Sequence, residues 1–258
     1  MDPSRSELPL DGPASSLVTG GSKGIGRAVA LDLAAPGRTL VLNYAEDQAA
    51  AEATRSEAED RGARVVLARG DVSDAAFRSR LADIVTAETD GLGQFVHCAV
   101  RSSNAAFADL DPRELERAVA VNGTSLPLLA HALRHSLRDG TSIVFLTSIG
   151  AQRAIPGYMA LGAPKAMAES FVRYLAVELA HRGVRTNTVS CSSLPTEAFR
   201  RAIKDADAWY SKMADRNPSG RNITFDEVTH AVRFLCSPYA RMVNGKELTV
   251  DGGLYSRL

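Results

Sequence analysis

Cysteine, tryptophan and any excess of one charge are all scarce in this chain of 258 residues. Its three cysteines, Cys98, Cys191 and Cys236, have no metal-ligand spacing, and an odd number speaks against a disulfide framework, so buried inert thiols are expected. Thirty basic residues balance thirty acidic ones, which gives the bulk electrostatics no call for nucleic acid or an anionic membrane as partner. No apolar run approaches the roughly 20 residues of a membrane-spanning helix. The opening MDPSRSELPLDGPASS also lacks the apolar core of a signal peptide, so a soluble, cytoplasmic protein is expected.

What is present is alternation. Residues 1–13, polar and punctuated by proline, read as a flexible N-terminal arm, and 14–258 as one domain without a visible seam. Short continuous apolar runs (SSLVT, RTLVLNY, ARVVLARGDV, GQFVHCAV, TSIVFLTS, VRTNTVSCSS, KELTVDGG) are separated by segments with helical periodicity. Continuous apolar strands with helical crossovers mean a parallel sheet covered on both faces. The expected class is α/β, a Rossmann-type doubly wound parallel sheet, in which ligands bind beyond the carboxyl ends of the strands.

Those strand ends carry the candidate site. After the first strand stands Gly20-Gly21-Ser22-Lys23-Gly24-Ile25-Gly26, a glycine-rich turn opening a helix, where bare backbone and unpaired helix N–H groups suit a pyrophosphate. Its spacing is Gly-x3-Gly-x-Gly. Asn43, at the end of the second strand, stands where an NAD-binding chain often places an acid on the ribose. An amide there does not repel a 2′-phosphate and Lys23 can pair with one, which favours NADPH over NADH, although Glu46 and Asp47 weigh against it. Asp71 and Val72 are placed to meet an adenine through a carboxylate and a backbone N–H; the alternative is that this segment caps the next helix through Ser73 or Asp74.

Residues 147–178 hold Tyr158 and Lys165 where an apolar strand gives way to a long amphipathic helix. Seven residues are almost two helical turns, so both groups would share one face about 10 Å apart in rise. A cation near a phenol lowers its pKa, and the phenol then donates to developing oxyanion charge; the plain alternative is two ordinary surface residues.

With the glycine turn, Asp71, Asn122, Ser148, Tyr158, Lys165 and the terminal Val250-Asp251-Gly252-Gly253, the chain resembles the short-chain dehydrogenase/reductase family over nearly its full length. The resemblance implies hydride transfer with a nicotinamide cofactor and a homotetramer. It also implies a lysine on the nicotinamide ribose, a tyrosine on the substrate oxygen, an active-site serine at Ser148, and an asparagine, Asn122, that bends its helix and holds a relay water. A plain surface amide is the alternative for Asn122. Most members place tyrosine four residues before lysine, which here is Leu161, with no proton to give. A three-residue displacement keeps the face and moves the phenol about 4.5 Å along the axis, which suits a conjugated acceptor whose oxygen lies farther from the reduced carbon. Pro164 fits easily only in a first helical turn, so Tyr158 is expected in the preceding loop, which makes the displacement approximate.

Tyr-x6-Lys is similar to the spacing of enoyl-acyl-carrier-protein reductases, and Val41-Leu42-Asn43-Tyr44-Ala45, Arg153 and 173–179 are most like the NADPH-dependent type III branch. That resemblance implies an enoyl thioester as substrate, on an acyl carrier protein or as a coenzyme A ester, in fatty-acid or polyketide assembly. It makes Tyr158 the thioester's hydrogen-bond donor and Lys165 the group that lowers its pKa. Several positions depart from it. His97-Cys98-Ala99 replaces Asn-Asn-Ala, so only backbone contacts from Cys98 and Ala99 to cofactor carry over. Cys191-Ser192-Ser193 stands beside the nicotinamide where relatives often carry small glycines, so its side chains could crowd the ring; Leu194 after it is a further cofactor-contact candidate, and Ala154 replaces a second tyrosine. His97 is expected as a buried hydrogen-bonded histidine, with proton donation the alternative. Residues 194–221, with Phe199, Trp209, Tyr210 and Met213, occupy the place of a substrate lid, and Arg200, Arg201 and Lys204 either meet an acidic carrier or are merely solvated. Reduction of another carbonyl or conjugated substrate, or a non-redox descendant of the fold, are the competing functions.

Overall fold

The computed structural model describes residues 8–203 and 205–256. Seven parallel strands among them form one sheet in the order β3-β2-β1-β4-β5-β6-β7: β1 (Ser15–Thr19), β2 (Thr39–Tyr44), β3 (Arg64–Arg69), β4 (Leu92–His97), β5 (Leu137–Ser148), β6 (Arg185–Cys191) and β7 (Glu247–Val250). Order reverses between β1 and β4, the place where such a sheet opens a crevice at its carboxyl edge.

Helices cover both faces because successive strand residues point to opposite sides. Val18, Leu40, Leu42, Val96, Val144 and Val189 pack against α1 (Gly24–Leu33), α2 (Gln48–Asp60) and the late helix α9 (Phe225–Leu235). Leu17, Val41, Phe95, Ile143 and Phe145 pack against α3 (Ala75–Glu88), α5 (Ser125–Ala132) and α6 (Met159–Glu178). Each such buried side chain contributes about 1.5–3 kcal/mol of transfer free energy, so the continuous apolar runs are what fix the two-faced architecture.

One expectation is revised. Residues 8–13 are not a loose arm: the Asp11 N–H donates to the Cys236 carbonyl at 2.9 Å, Gln94 Nε2 to the Asp11 carbonyl at 2.6 Å, and Arg241 pairs with the Asp11 carboxylate at 3.2 Å. Residues 1–7 of the expected arm lie outside the described residues. After residue 111 the chain does not form one continuous helix. It runs as α4 (Pro112–Ala118), a π-helical segment Val119–Thr124 and α5, the widened turn carrying Asn122. The lid segment folds as α7 (Glu197–Ala202) and α8 (Ala206–Arg216), with Met213 buried and Phe199 edge-on to Tyr210 at 6.4 Å. Lys204 lies outside the described residues. No helix among those described is long and apolar enough to cross a membrane.

Candidate active site

The carboxyl ends of β1, β4, β5 and β6, with α7 and α8, line one cavity of about 330 Å³. It brings together Gly20, Lys23, Gly24, Ile25, Gly26, Cys98, Ser148, Tyr158, Lys165 and Leu194, all singled out in the sequence. Ser22, Asn43, Asp71, Val72, Ala99 and Asn122 do not line it.

At the glycine turn a β-carbon on Gly20 would stand 2.8 Å from the Ala99 Cα, and one on Gly26 2.1 Å from the Gly20 carbonyl oxygen. Only hydrogen fits at either place. Lys23 stands at the head of α1 without a side-chain cap, and the helix has no acid in its first turn. Its first N–H groups therefore lack a side-chain acceptor and carry the positive end of the helix dipole. These residues fit a dinucleotide: the bare turn admits its pyrophosphate and the α1 N–H groups accept the charge.

Around that cradle two sequence expectations change. Asn43 lies inside β2, only 2% exposed. Its Nδ2 donates to the carbonyls of Ala68 (3.1 Å) and Gly70 (2.9 Å), while its Oδ1 accepts from the Gly20 N–H at 3.4 Å. Its amide braces the glycine turn against the end of β3; an aspartate could not make the two donations. Asp71 is exposed, accepts from the Ser73 N–H at 2.8 Å, and precedes Asp74, which caps α3 by accepting from Ala76 N–H at 2.9 Å. The capping alternative thus describes the side chains here, and Val72 is buried in the core.

Lys23 is already paired. Its Nζ lies 2.6 Å from the Asp47 carboxylate and 2.9 Å from that of Glu197, tying the glycine turn to the head of α2 and to the lid. Hydrogen bonds to Asp47 and Glu197 raise the lysine's pKa. Arg200 and Arg201 are likewise held within the lid, by Asp207 at 3.2 Å and by Glu197.

At the far end of the cavity Ser148 Oγ and Tyr158 OH are 3.3 Å apart. Tyr158 is the residue immediately before α6, with φ −99°, and its carbonyl accepts the Gly162 N–H at 2.8 Å, so Pro164 falls in the second turn and not the first. A β-carbon on Gly150 would meet the Tyr158 ring at 2.4 Å; glycine there leaves the slot in which the phenol lies. Leu161, in the position where most relatives carry the tyrosine, lines the same cavity and is buried, as expected for a shift of about one turn along one face.

The electrostatics keep the phenol protonated. Burial raises the Tyr158 pKa, only partly opposed by the hydrogen bond with Ser148, so the net lowering expected from Lys165 is not the balance reached. Lys165 donates from Nζ to the Leu146 carbonyl at 3.1 Å; burial lowers its pKa, with Cys191, Cys98 and Glu169 acting upward. The Cys191 thiol is pushed up to about 11 by burial and the Cys98 thiol further still, so both are neutral, as foreseen. Cavity space persists beside Cys191, Ser192 and Ser193.

The side chains of His97 and Asn122 are both held by hydrogen bonds within the fold. His97 is 1% exposed, with Thr19 Oγ1 at 2.8 Å from Nδ1 and Ser125 Oγ at 2.8 Å from Nε2. Ser125 donates to the Val121 carbonyl at 2.5 Å, which leaves its oxygen to accept from Nε2–H and Thr19 to donate to Nδ1. Asn122, 2% exposed, clamps both backbone groups of Arg101, accepting its N–H at 2.8 Å and donating to its carbonyl at 2.9 Å. It is no surface amide. Its side chain fixes the loop after β4.

Sequence reasoning missed Tyr255 of the C-terminal turn, Ile149, Ile155 and Val100 as cavity walls. The repeated apolar residues around Tyr158 hinted at the second and third; nothing local marked Tyr255.

A family model described as Enoyl-(Acyl carrier protein) reductase matches residues 20–255. A 1-cyclohexenylcarbonyl-CoA reductase from Streptomyces collinus is 35% identical over 240 residues, covering 93% of this chain and 86% of that protein. A versicolorin reductase from Emericella nidulans is 28% identical over 95% of this chain and 97% of its own. Among solved structures, a dehydrogenase/reductase from Sinorhizobium meliloti superposes with a TM-score of 0.87 at 28% identity, covering 96% of this chain and 97% of that one. A short chain dehydrogenase from Burkholderia cenocepacia, in complex with NADP, does so at 0.85 and 30%, covering 93% and 96%.

Proposed function

The chain belongs to the short-chain dehydrogenase/reductase family of oxidoreductases, and on that footing we propose that it reduces the carbon–carbon double bond of an enoyl thioester with NADPH. The observation that carries this reading is the place of the phenol: Tyr158 sits one turn beyond the buried Leu161 in the same cavity, hydrogen-bonded to Ser148. A donor moved away from Lys165 along the cavity suits an acceptor whose oxygen is three bonds removed from the carbon that is reduced.

A reduced nicotinamide bound in this cavity supplies the hydride. The chain's residues supply the rest. Gly20, Gly24 and Gly26 with the α1 N–H groups hold the pyrophosphate, and Lys165, within the cavity, is the donor for the ribose hydroxyls. Tyr158, protonated at neutral pH, donates to the thioester oxygen and stabilises the charge that develops there, while Ser148 orients the phenol. Phe199, Trp209 and Leu194 from the lid keep water from the acyl group.

The name of the Streptomyces collinus relative, which describes a conjugated thioester, supports the substrate class. NADPH is supported by Lys23 beside the cradle and by the NADP-bound structural relative, with Asp47 and Glu197 yielding their lysine to a 2′-phosphate. As part of the same reading, the substrate is carried by coenzyme A or an acyl carrier protein in the cytoplasm. A homotetramer forms through apolar side chains exposed on α5 and α6: Leu128, Tyr174 and Val177. A second reading, reduction of a ketone on an aromatic polyketide-type ring, is favoured by the aromatic side chains Trp209 and Tyr255 in the cavity and by the versicolorin reductase relative.

The test is product identity. With NADPH and crotonyl-coenzyme A the expected product is butyryl-coenzyme A by mass spectrometry. Turnover of acetoacetyl-coenzyme A with none of crotonyl-coenzyme A would favour the second reading and remove the first.

A further inference from the structure

The Asp251–Ser256 turn follows β7 and is braced from three sides. The Asp251 carboxylate accepts the N–H groups of Gly253 (2.8 Å) and Tyr255 (3.0 Å). Its carbonyl accepts from Asn217 Nδ2, at the end of α8, at 2.8 Å. Arg153, just before the Tyr158 loop, donates from Nη2 to the Tyr255 carbonyl at 2.9 Å. Asp251 and Asn217 are both buried, so the brace is a fixed part of the fold. Its product is the placement of one side chain: Tyr255 lines the cavity with Tyr158, Ser148 and Cys191, and its hydroxyl makes no hydrogen bond to another described residue.

From this geometry we infer that Tyr255 is a second hydrogen-bond donor to the substrate's acyl oxygen, and that Arg153 is the positioning residue that holds it there. The inference rests on the reading of the substrate as an acyl thioester. Three observations carry it. A phenol is delivered into an active cavity from a distant part of the chain by four hydrogen bonds to backbone or carboxylate groups, which a mere wall of apolar residues does not need. The nearby residue Ala154, where an enoyl-reductase relative would carry its second tyrosine, is exposed and offers no donor. Burial, with the Asp251 charge, pushes the Tyr255 phenol up to about 12, so it remains a donor across the working range of pH. Arg153 was conspicuous in the sequence without an assigned task, and its bond to Tyr255 gives it one.

Trp209, the one tryptophan of the chain, lines the same cavity and reports on its occupancy. The experiment titrates butyryl-coenzyme A, an unreactive acyl thioester, into the full-length protein with NADP+ present, following Trp209 fluorescence. Tyr255→Phe keeps the ring and is expected to weaken binding about fivefold, the scale of one neutral hydrogen bond. Arg153→Gln should weaken it by a similar factor, and the double variant no further than Tyr255→Phe alone, because both remove the same bond. Binding by Tyr255→Phe within twofold of the parent overturns the assignment, as does a parent that does not bind butyryl-coenzyme A. Losses that multiply in the double variant overturn the role of Arg153. A parent that binds butyryl-coenzyme A in a Tyr255-dependent way yet fails to reduce crotonyl-coenzyme A leaves Tyr255 in place and removes the enoyl reading instead.

Discussion

Ser148 and Tyr158 meet at 3.3 Å, hydroxyl to hydroxyl, although one ends a strand and the other precedes a helix. The pairing leaves the phenol with an acceptor or donor in the resting protein and a ready proton for substrate. Tyr158→Phe is therefore expected to lower turnover about 10²- to 10⁴-fold, the scale of a lost acid or oxyanion donor, with NADPH affinity changed less than about threefold. Steady-state kinetics and a cofactor titration check both halves. Turnover within a factor of a few of the parent would take Tyr158 out of the chemistry.

Lys23 is shared by Asp47 and Glu197, so removing it leaves two carboxylates without their lysine beside the glycine turn. Lys23→Ala should weaken NADPH binding about tenfold or more, as expected for loss of a charge-assisted phosphate contact, and NADH binding much less. Equal weakening of the two would show that Lys23 does not read the 2′-phosphate.

His97 ties pH to stability. Its pKa, about 3 in the fold because of burial and then Lys165, lies below the roughly 6.5 of an unfolded chain. A depressed value means that the neutral form is the one the fold holds. Its contribution is fully present above pH 6.5 and is lost as pH falls towards 3. Between pH 6.5 and 5 the loss is about 2 kcal/mol. Urea unfolding at the two pH values should show a drop larger by about that amount in the parent than in His97→Gln, and matching drops would contradict the assignment.

Glu169 shifts the opposite way. Burial raises its pKa despite the 2.6 Å hydrogen bond from Thr147 Oγ1, and Glu247 adds to the rise. A raised carboxyl destabilises the fold as pH climbs through its folded pKa, so the protein is better served by a neutral group at pH 7. Glu169→Gln, whose amide oxygen still accepts from Thr147, should raise the melting temperature at pH 7 and change it little at pH 4. A fall at pH 7 would mean that the carboxylate's attraction to Lys165 and Arg173 outweighs its burial.

Much of the fold was legible because its signals are local. Apolar runs with helical spacers give a parallel sheet, and the glycine turn between β1 and α1 declares itself by position. Tyr158 and Lys165 were legible for the same reason, both on one helix or at its edge. Asn43 was misplaced because its amide turns to the carbonyls of Ala68 and Gly70, at the end of the neighbouring β3 and just after it, a pairing set by strand order. The Asn122 clamp on Arg101 and the arrival of Tyr255 beside Tyr158 are tertiary facts. Residues far apart in the chain meet there through strand order, which no short pattern encodes.

The most direct measurement moves the phenol. In the parent, kcat/KM for crotonyl-coenzyme A should exceed that for acetoacetyl-coenzyme A. In Tyr158→Phe/Leu161→Tyr, which returns the hydroxyl to the position nearer Lys165, the ratio should fall by about tenfold or more. A ratio unchanged by the swap would contradict the claim that the place of this hydroxyl selects the conjugated substrate.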